Sequence, residues 1–92
     1  MAFVQRKIGE IWAESIDFSS RLGSGETLTG TPTVAVNPTG ELTIGTATVS
    51  GDTVAFAVTA TNAVKDRRYE VTATCATSAS QTLIERETIA IV

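Results

Sequence analysis

The sequence predicts an all-β fold, a two-sheet antiparallel β-sandwich of six or seven short strands. Sixteen threonines and nine valines favour it, because branched side chains lose rotamer freedom in a helix but pack well on a pleated sheet. Apolar residues recur at every second position over several segments. Turn signals separate these segments at intervals of roughly 8–12 residues, a spacing typical of sandwiches.

The first half of the chain predicts an arm and two strands. Residues 1–9 show no regular period, and we expect them to form an N-terminal arm before a single domain at residues 10–92. From residue 10 alternate side chains share one face of a strand. The residues of this face are Trp12, Glu14, Ile16 and Phe18, and those of the opposite face are Ile11, Ala13, Ser15 and Asp17. After a Ser- and Gly-rich loop, the strand at 26–36 carries Pro32, which predicts a bulge or an edge position.

The second half alternates more regularly. A turn at 37–40 (Asn-Pro-Thr-Gly) precedes a strand at 43–50, and Thr53 to Thr61 returns beside it. The next strand places Tyr69, Val71, Ala73 and Cys75 on one face. The last strand runs from Gln81 to Val92, but Glu85 and Glu87 occupy positions of inward parity. We therefore expect a β-bulge near Glu85 and Arg86 that restores the alternating pattern.

Composition excludes several classes of protein. With 92 residues, 42% of them hydrophobic and 18% charged, the chain predicts one folded domain rather than a disordered segment. Its net charge of −3 lacks the cation excess of a nucleic-acid-binding protein. The longest apolar runs, at 54–58 and 89–92, are far shorter than the ~20 residues that span a bilayer. We expect neither nucleic acid nor membrane as a partner, and synthesis in the cytoplasm without a secretory signal.

The residues offer little for catalysis. There is no histidine to serve as an acid or base near neutral pH. Cys75 has inward parity and no imidazole to activate it, so a buried apolar role is expected. The acidic residues are scattered rather than clustered as calcium ligands. We therefore expect no enzyme activity, no cofactor and no metal.

Protein contact is the remaining class of function. The arm contains apolar and basic side chains suited to docking on another chain, and Trp12 is either a core aromatic or a staple that anchors this arm. A basic cluster lies between two strands, where it is either a solvated loop or a contact for an acidic partner. The candidate interface residues are Phe3, Val4, Arg6, Lys7, Ile8, Trp12, Lys65, Arg67 and Arg68.

Two segments resemble a known group of proteins. Residues 16–19 (Ile-Asp-Phe-Ser) and 22–28 (Leu-Gly-Ser-Gly-Glu-Thr-Leu) are similar to the opening of small virion structural proteins of tailed bacteriophages, and the similarity extends over residues 10–92. The resemblance implies an immunoglobulin-like sandwich without active-site residues. It also implies that Asp17 binds backbone amides of the following loop, with Gly23 and Gly25 permitting its turn.

The same resemblance implies a place in the virion, on the capsid surface or in the tail. The leading hypothesis is a capsid cement or decoration protein that binds the assembled shell, with the major capsid protein or other virion structural proteins as its partner. The alternative is a head–tail or tail-fibre adaptor, and a lower-ranked one is a glycan-binding fibre or spike module. A homo-oligomer, a trimer by analogy, is expected because small side chains form a modest core without a disulfide. Deleting residues 1–9 is predicted to leave the domain folded but to weaken its attachment.

Overall fold

Two β-sheets pack face to face, which confirms the predicted all-β sandwich. The computed structural model describes the backbone of residues 2–92 and the side chains of residues 4–92. Eight strands lie in this part of the chain. They are β1 (Ala2–Arg6), β2 (Ile11–Asp17), β3 (Leu28–Asn37), β4 (Thr43–Ile44), β5 (Thr48–Ser50), β6 (Thr53–Thr59), β7 (Arg68–Thr77) and β8 (Thr82–Ile91). A single 3₁₀ turn, Ser19–Arg21, follows β2.

The strands are divided unequally between the two sheets. One sheet has the order β1-β8-β7-β3, and in the other β6 pairs with β2 on one side and with β4 and β5 on the other. Pairing is antiparallel everywhere except between β1 and β8, which run parallel. Across the interior, β2 contacts β8, and β3 contacts β4 and β5. In this order β1 lies beyond β8 at the edge of its sheet.

The core follows the alternation of the sequence. On β6, Val54, Phe56 and Val58 are buried, and on β7 the buried set begins at Tyr69 and includes Cys75. The predicted buried state of Cys75 is confirmed. Because both strands occupy central positions, each contributes one complete face to the apolar layer between the sheets.

The N-terminal segment differs from the arm that the sequence suggested. Residues 2–6 pair with β8 in continuous register, from Ala2 opposite Glu87 to Arg6 opposite Ile91. A parallel edge strand is not joined to its neighbour by a hairpin, so the sequence contains no local turn signal that would predict β1. The segment therefore contributes backbone pairing to the sheet, and the boundary at residue 9 remains a prediction.

One expected bulge is present and another is absent. The β3–β7 register shifts between Thr29 and Thr33, next to Pro32, as predicted. The bulge expected near Glu85 and Arg86 was wrong, because β8 pairs with β7 without interruption along this stretch. Inward parity therefore persists along β8, and Glu87 points into the sandwich, where it is 2% exposed.

The loop after β2 is closed by the contacts that the resemblance implied. Asp17 Oδ1 accepts a 2.8 Å hydrogen bond from the amide of Ser19, and this bond lowers the pKa of the Asp17 carboxyl. Gly25 has a φ of +77°, a region that disfavours side chains. Gly23 instead donates its N–H to Glu26 Oε1 at 2.8 Å. Of the two glycines, therefore, only Gly25 adopts the positive φ that favours glycine in a turn.

Candidate interface

A polar cluster lies between the two sheets at the edge formed by β1 and β2. Glu14 from β2 and Glu87 from β8 face each other across the interior, and their carboxyl groups share a hydrogen bond. One oxygen of Glu87, Oε1, is buried without a hydrogen-bond partner in the described part of the chain. Two carboxyl groups in such a site cannot both ionise without strong repulsion.

Arg6 and Trp12 connect β1 to this cluster. The Arg6 guanidinium lies over the Trp12 ring, 4.9 Å from its centroid, a geometry that gives a favourable cation–π contact. Trp12 Nε1 donates a 2.9 Å hydrogen bond to Glu14 Oε2. Trp12 thus contacts the N-terminal segment and also packs against the hydrophobic core, so it has features of both roles proposed from sequence. Arg6 Nε is buried without an acceptor among the described residues.

The buried position changes the titration of Glu87. Burial is the largest cause and raises its pKa, the charge and hydrogen bond of Glu14 raise it further, and the charge of Arg6 lowers it. The resulting pKa is about 8, against an ordinary value of 4.5. Near neutral pH the Glu87 carboxyl therefore holds its proton, which is the proton that the two carboxyl groups share.

Several connections meet at one end of the sandwich. The turn after β1 meets the β6–β7 loop, where Gly9 N donates to Ala60 O at 3.1 Å. That loop reaches the end of β8, where Asp66 N donates to Ile91 O at 2.8 Å. Val92 N then donates back to the carbonyl of Arg6 at 2.9 Å. These backbone bonds hold the three segments as one surface.

Apolar and basic side chains are concentrated on this surface. Four of the five large apolar side chains that are exposed in the described structure lie here. We call the surface the basic end and define it by Lys7, Ile8, Ile11, Val64, Lys65, Arg67, Arg68 and Val92. Ile11 is the most exposed of the apolar residues, at 71%. Exposed apolar side chains grouped in this way mark a candidate protein contact.

The buried Tyr69 makes hydrogen bonds to Val64 of the basic end and to Glu41. The hydroxyl of Tyr69 donates to Glu41 Oε1 at 2.5 Å and accepts from the amide of Val64 at 3.0 Å. Glu41 also receives Arg67 Nη1, which is 2.9 Å from its Oε2. Burial, followed by the hydrogen bond to Glu41, raises the pKa of the Tyr69 hydroxyl.

Replacing Tyr69 with phenylalanine tests these hydrogen bonds. The variant leaves the amide of Val64 without its acceptor and removes the shorter of the two hydrogen bonds to Glu41 Oε1, which keeps its bond from Arg67. We therefore expect a loss of about 1–3 kcal/mol in the free energy of unfolding. Urea denaturation measures it. Phe56→Leu in the same core is the control for a change of packing alone. An unchanged stability in Tyr69→Phe would show that water replaces the hydroxyl.

The interface residues proposed from the sequence lie in two separate parts of the structure. Val4, Arg6 and Trp12 lie at the β1–β2 edge, whereas the side chain of Phe3 falls outside the described set. The remaining five belong to the basic end. They are Lys7, Ile8, Lys65, Arg67 and Arg68. Their part in binding a partner remains a prediction.

Sequence reasoning missed two components of these surfaces. The face that Glu14 shares with Trp12 and Ile16, and the parity that Glu87 shares with Leu83, were the available signals for the Glu14–Glu87 pair. The exposed Ile11, Val64 and Val92 gave no local signal, because only tertiary contacts bring the ends of β2, β6 and β8 together.

Other kinds of site find little support in the described chain. No group of three or more potential ligand residues there is placed to hold a metal ion. None of its aromatic side chains is exposed, since Trp12 is half-buried and Phe18, Phe56 and Tyr69 are buried. No helix formed by these residues has the length and apolar character needed to cross a membrane.

Comparison with known proteins identifies a family. The family model described as "Podophage GP4 fiber-tail adaptor protein gp77" matches residues 6–91, which is nearly the whole chain. No protein of curated function matches this sequence. The matched region begins at Arg6, the last residue of β1, and includes Trp12, Glu14 and Glu87 as well as every residue of the basic end except Val92.

Proposed function

The chain belongs to the podophage GP4 fiber-tail adaptor family, and from that premise we propose that it joins a fibre to the tail as a passive structural link. It is a small phage virion structural protein of the adaptor type. The family assignment supports the adaptor alternative better than the capsid-cement hypothesis. Rigid contact surfaces would perform this function without catalysis, cofactor or metal.

The clustering of exposed apolar and basic side chains at the basic end carries the proposal for a contact surface. Ile8, Ile11 and Val64 offer apolar area to bury, while Lys7 and Lys65 favour a partner with acidic side chains around an apolar centre. We propose another virion structural protein as that partner. Self-association as a trimer remains a prediction, which sedimentation equilibrium of the purified protein tests.

Val64→Asp combined with Lys65→Glu should weaken this contact. The pair removes apolar area and reverses a charge on an exposed loop, so we expect at least a tenfold loss of affinity for tail particles assembled without this protein. Pull-down with those particles measures the loss. Ile84→Asp, an exposed apolar residue remote from the basic end, is the matched control. Equal losses in both variants would refute the assignment of this surface.

Copy number separates an adaptor from a cement protein. An adaptor should be present in virions at a small number set by the rotational symmetry of the tail, whereas a cement protein follows the many subunits of the shell. Quantitative mass spectrometry of purified virions gives this number. A count that scales with capsid subunits would contradict the adaptor function.

A further inference from the structure

The free edge of β2 differs from the other sheet edges in the described structure. β3 is interrupted by its bulge and carries Pro32, while β4 and β5 have only two and three residues. β1 has five residues and is followed by Lys7. Short strands, bulges, proline and lysine are the devices by which proteins prevent edge-to-edge pairing. β2 has seven residues in unbroken register with β6 and lacks these four devices, although it carries the inward-pointing acid Glu14 and the exposed Asp17 at its end.

The hydrogen-bond pattern shows which backbone groups this edge offers. Glu10 O accepts from Ala60 N, and Phe18 N donates to Asp52 O, each at 2.9 Å. Because directions alternate along an antiparallel ladder, the even-numbered residues of β2 bond to β6. The odd-numbered residues direct their N–H and C=O groups away from β6. These residues are Ile11, Ala13, Ser15 and Asp17, and their side chains are also exposed.

The opposite sheet extends beyond this edge. β2 lies across from β8, and β1 continues the larger sheet one strand further. A strand added to β2 would therefore lie over β1 and cover Val4 and Arg6, both of which are half-buried. Arg6 also has a buried Nε without an acceptor in the described chain. The overhang thus provides both apolar area and an unused donor.

We propose that β2 binds an extended segment of a partner virion protein by β-strand addition, which completes the smaller sheet opposite β1. The inference rests on the adaptor function and specifies how the partner binds. The segment has small side chains beside Ala13 and Ser15, a basic one beside Asp17, and an apolar or hydrogen-bond-accepting one over Val4 and Arg6. Main-chain hydrogen bonds supply affinity, and the fit to these neighbouring side chains supplies selectivity.

A second copy of this chain fits the edge less well. Full antiparallel overlap of two β2 strands places Glu14 opposite Glu14, and like charges directly opposite each other destabilise a strand pair. Glu14 already faces the Glu87 carboxyl. A different chain without an acid at that position avoids the repulsion.

Two variants block the edge without touching the internal ladder. Ala13→Pro removes an N–H that β6 does not use, and Ala13→Lys places a charge on the edge. Each should bind tail particles lacking this protein at least tenfold more weakly than wild type. Ala35→Lys, an exposed alanine on the bulged edge strand β3, is the matched control and should bind normally. Circular dichroism and thermal melting establish that the variants are folded.

Hydrogen exchange supplies a second readout that does not depend on variants. On binding the tail particles, the amides of Ala13 and Ser15 should exchange at least tenfold more slowly, while those of Trp12 and Glu14 are already protected in the free protein. Unchanged exchange at Ala13 and Ser15, or full binding by both Ala13 variants, overturns strand addition. A wild-type dimer that Ala13→Pro dissociates would also overturn it, in favour of self-pairing. Failure of wild type to bind tails would instead contradict the adaptor function.

Discussion

Glu87→Gln is expected to make the folded protein more stable at pH 9 by several kcal/mol, the largest gain expected from a single substitution here. The wild-type carboxyl has a pKa of about 8 in the folded state against an ordinary value of 4.5, and each pKa unit corresponds to roughly 1.4 kcal/mol. Glutamine retains a polar side chain of the same size but cannot ionise next to Glu14. The variant therefore removes the repulsion and desolvation that accompany ionisation.

The sign of the pH dependence follows from proton binding. Between pH 4.5 and 8 the folded state holds a proton on Glu87 that the unfolded state releases. The contribution to stability is therefore complete below pH 4.5 and is lost as pH rises through about 8. Glu14 and Arg6 face this carboxyl from β2 and β1, so the transition belongs to the group as a whole.

Urea unfolding between pH 4 and pH 9 measures this dependence. The wild-type free energy of unfolding should fall across the range, whereas that of Glu87→Gln should fall much less, with the two converging at the acid end. Glu70→Gln, the same change at an exposed position of the adjacent strand, should follow wild type. Parallel curves for Glu87→Gln and wild type would show that Glu87 ionises normally.

Deletion of residues 1–9 should lower the melting temperature by about 10 °C or more, since roughly 4–8 °C accompany each kcal/mol in a domain of this size. The deletion removes the parallel partner of β8, the packing of Val4, and the Arg6–Trp12 contact. It also removes the positive charge that lowers the pKa of Glu87. The structure thus predicts a larger loss of stability than an independent arm would.

Calorimetry of the deletion variant at pH 6 and pH 9 tests this role of β1. The loss should be greater at pH 9, where Arg6 offsets more ionised carboxylate. Gln5→Ala, an exposed position on the same strand, is the control and should melt like wild type. A truncated protein with unchanged melting would restore the description of residues 1–9 as an independent arm.

Local pattern was sufficient for the strands that have two-residue periodicity. The faces of β2, β6 and β7 were predicted correctly, because one buried face requires apolar residues at every second position. The bulge beside Pro32 was predicted for a similar local reason, since proline cannot join a regular interior ladder. The predicted turn at 37–40 overlaps the end of β3 at Asn37 and a bend in the chain that follows it, where Gly40 has a φ of +87°.

The residue pattern gave a wrong prediction at Glu87, because the rule that charged residues lie outside does not hold at this position of the folded chain. Two acids at inward parity suggested a bulge, since an isolated buried charge is costly. The structure keeps the register and buries one acid as a protonated partner of Glu14, near Arg6. The residues that make this burial possible, Glu14 and Arg6, lie more than seventy positions away from Glu87 in the sequence.

The sequence by itself determined the all-β class, the buried faces of β2, β6 and β7, and the absence of the histidine-based chemistry that many enzymes use. Those properties depend on side-chain type and on spacing between near neighbours. Tertiary structure alone decided the parallel docking of β1, the burial of the Glu14–Glu87 pair, the assembly of the basic end and the open edge of β2. Each of these depends on which distant segments become neighbours, and the free energy that selects them comes from packing and pairing over the whole chain.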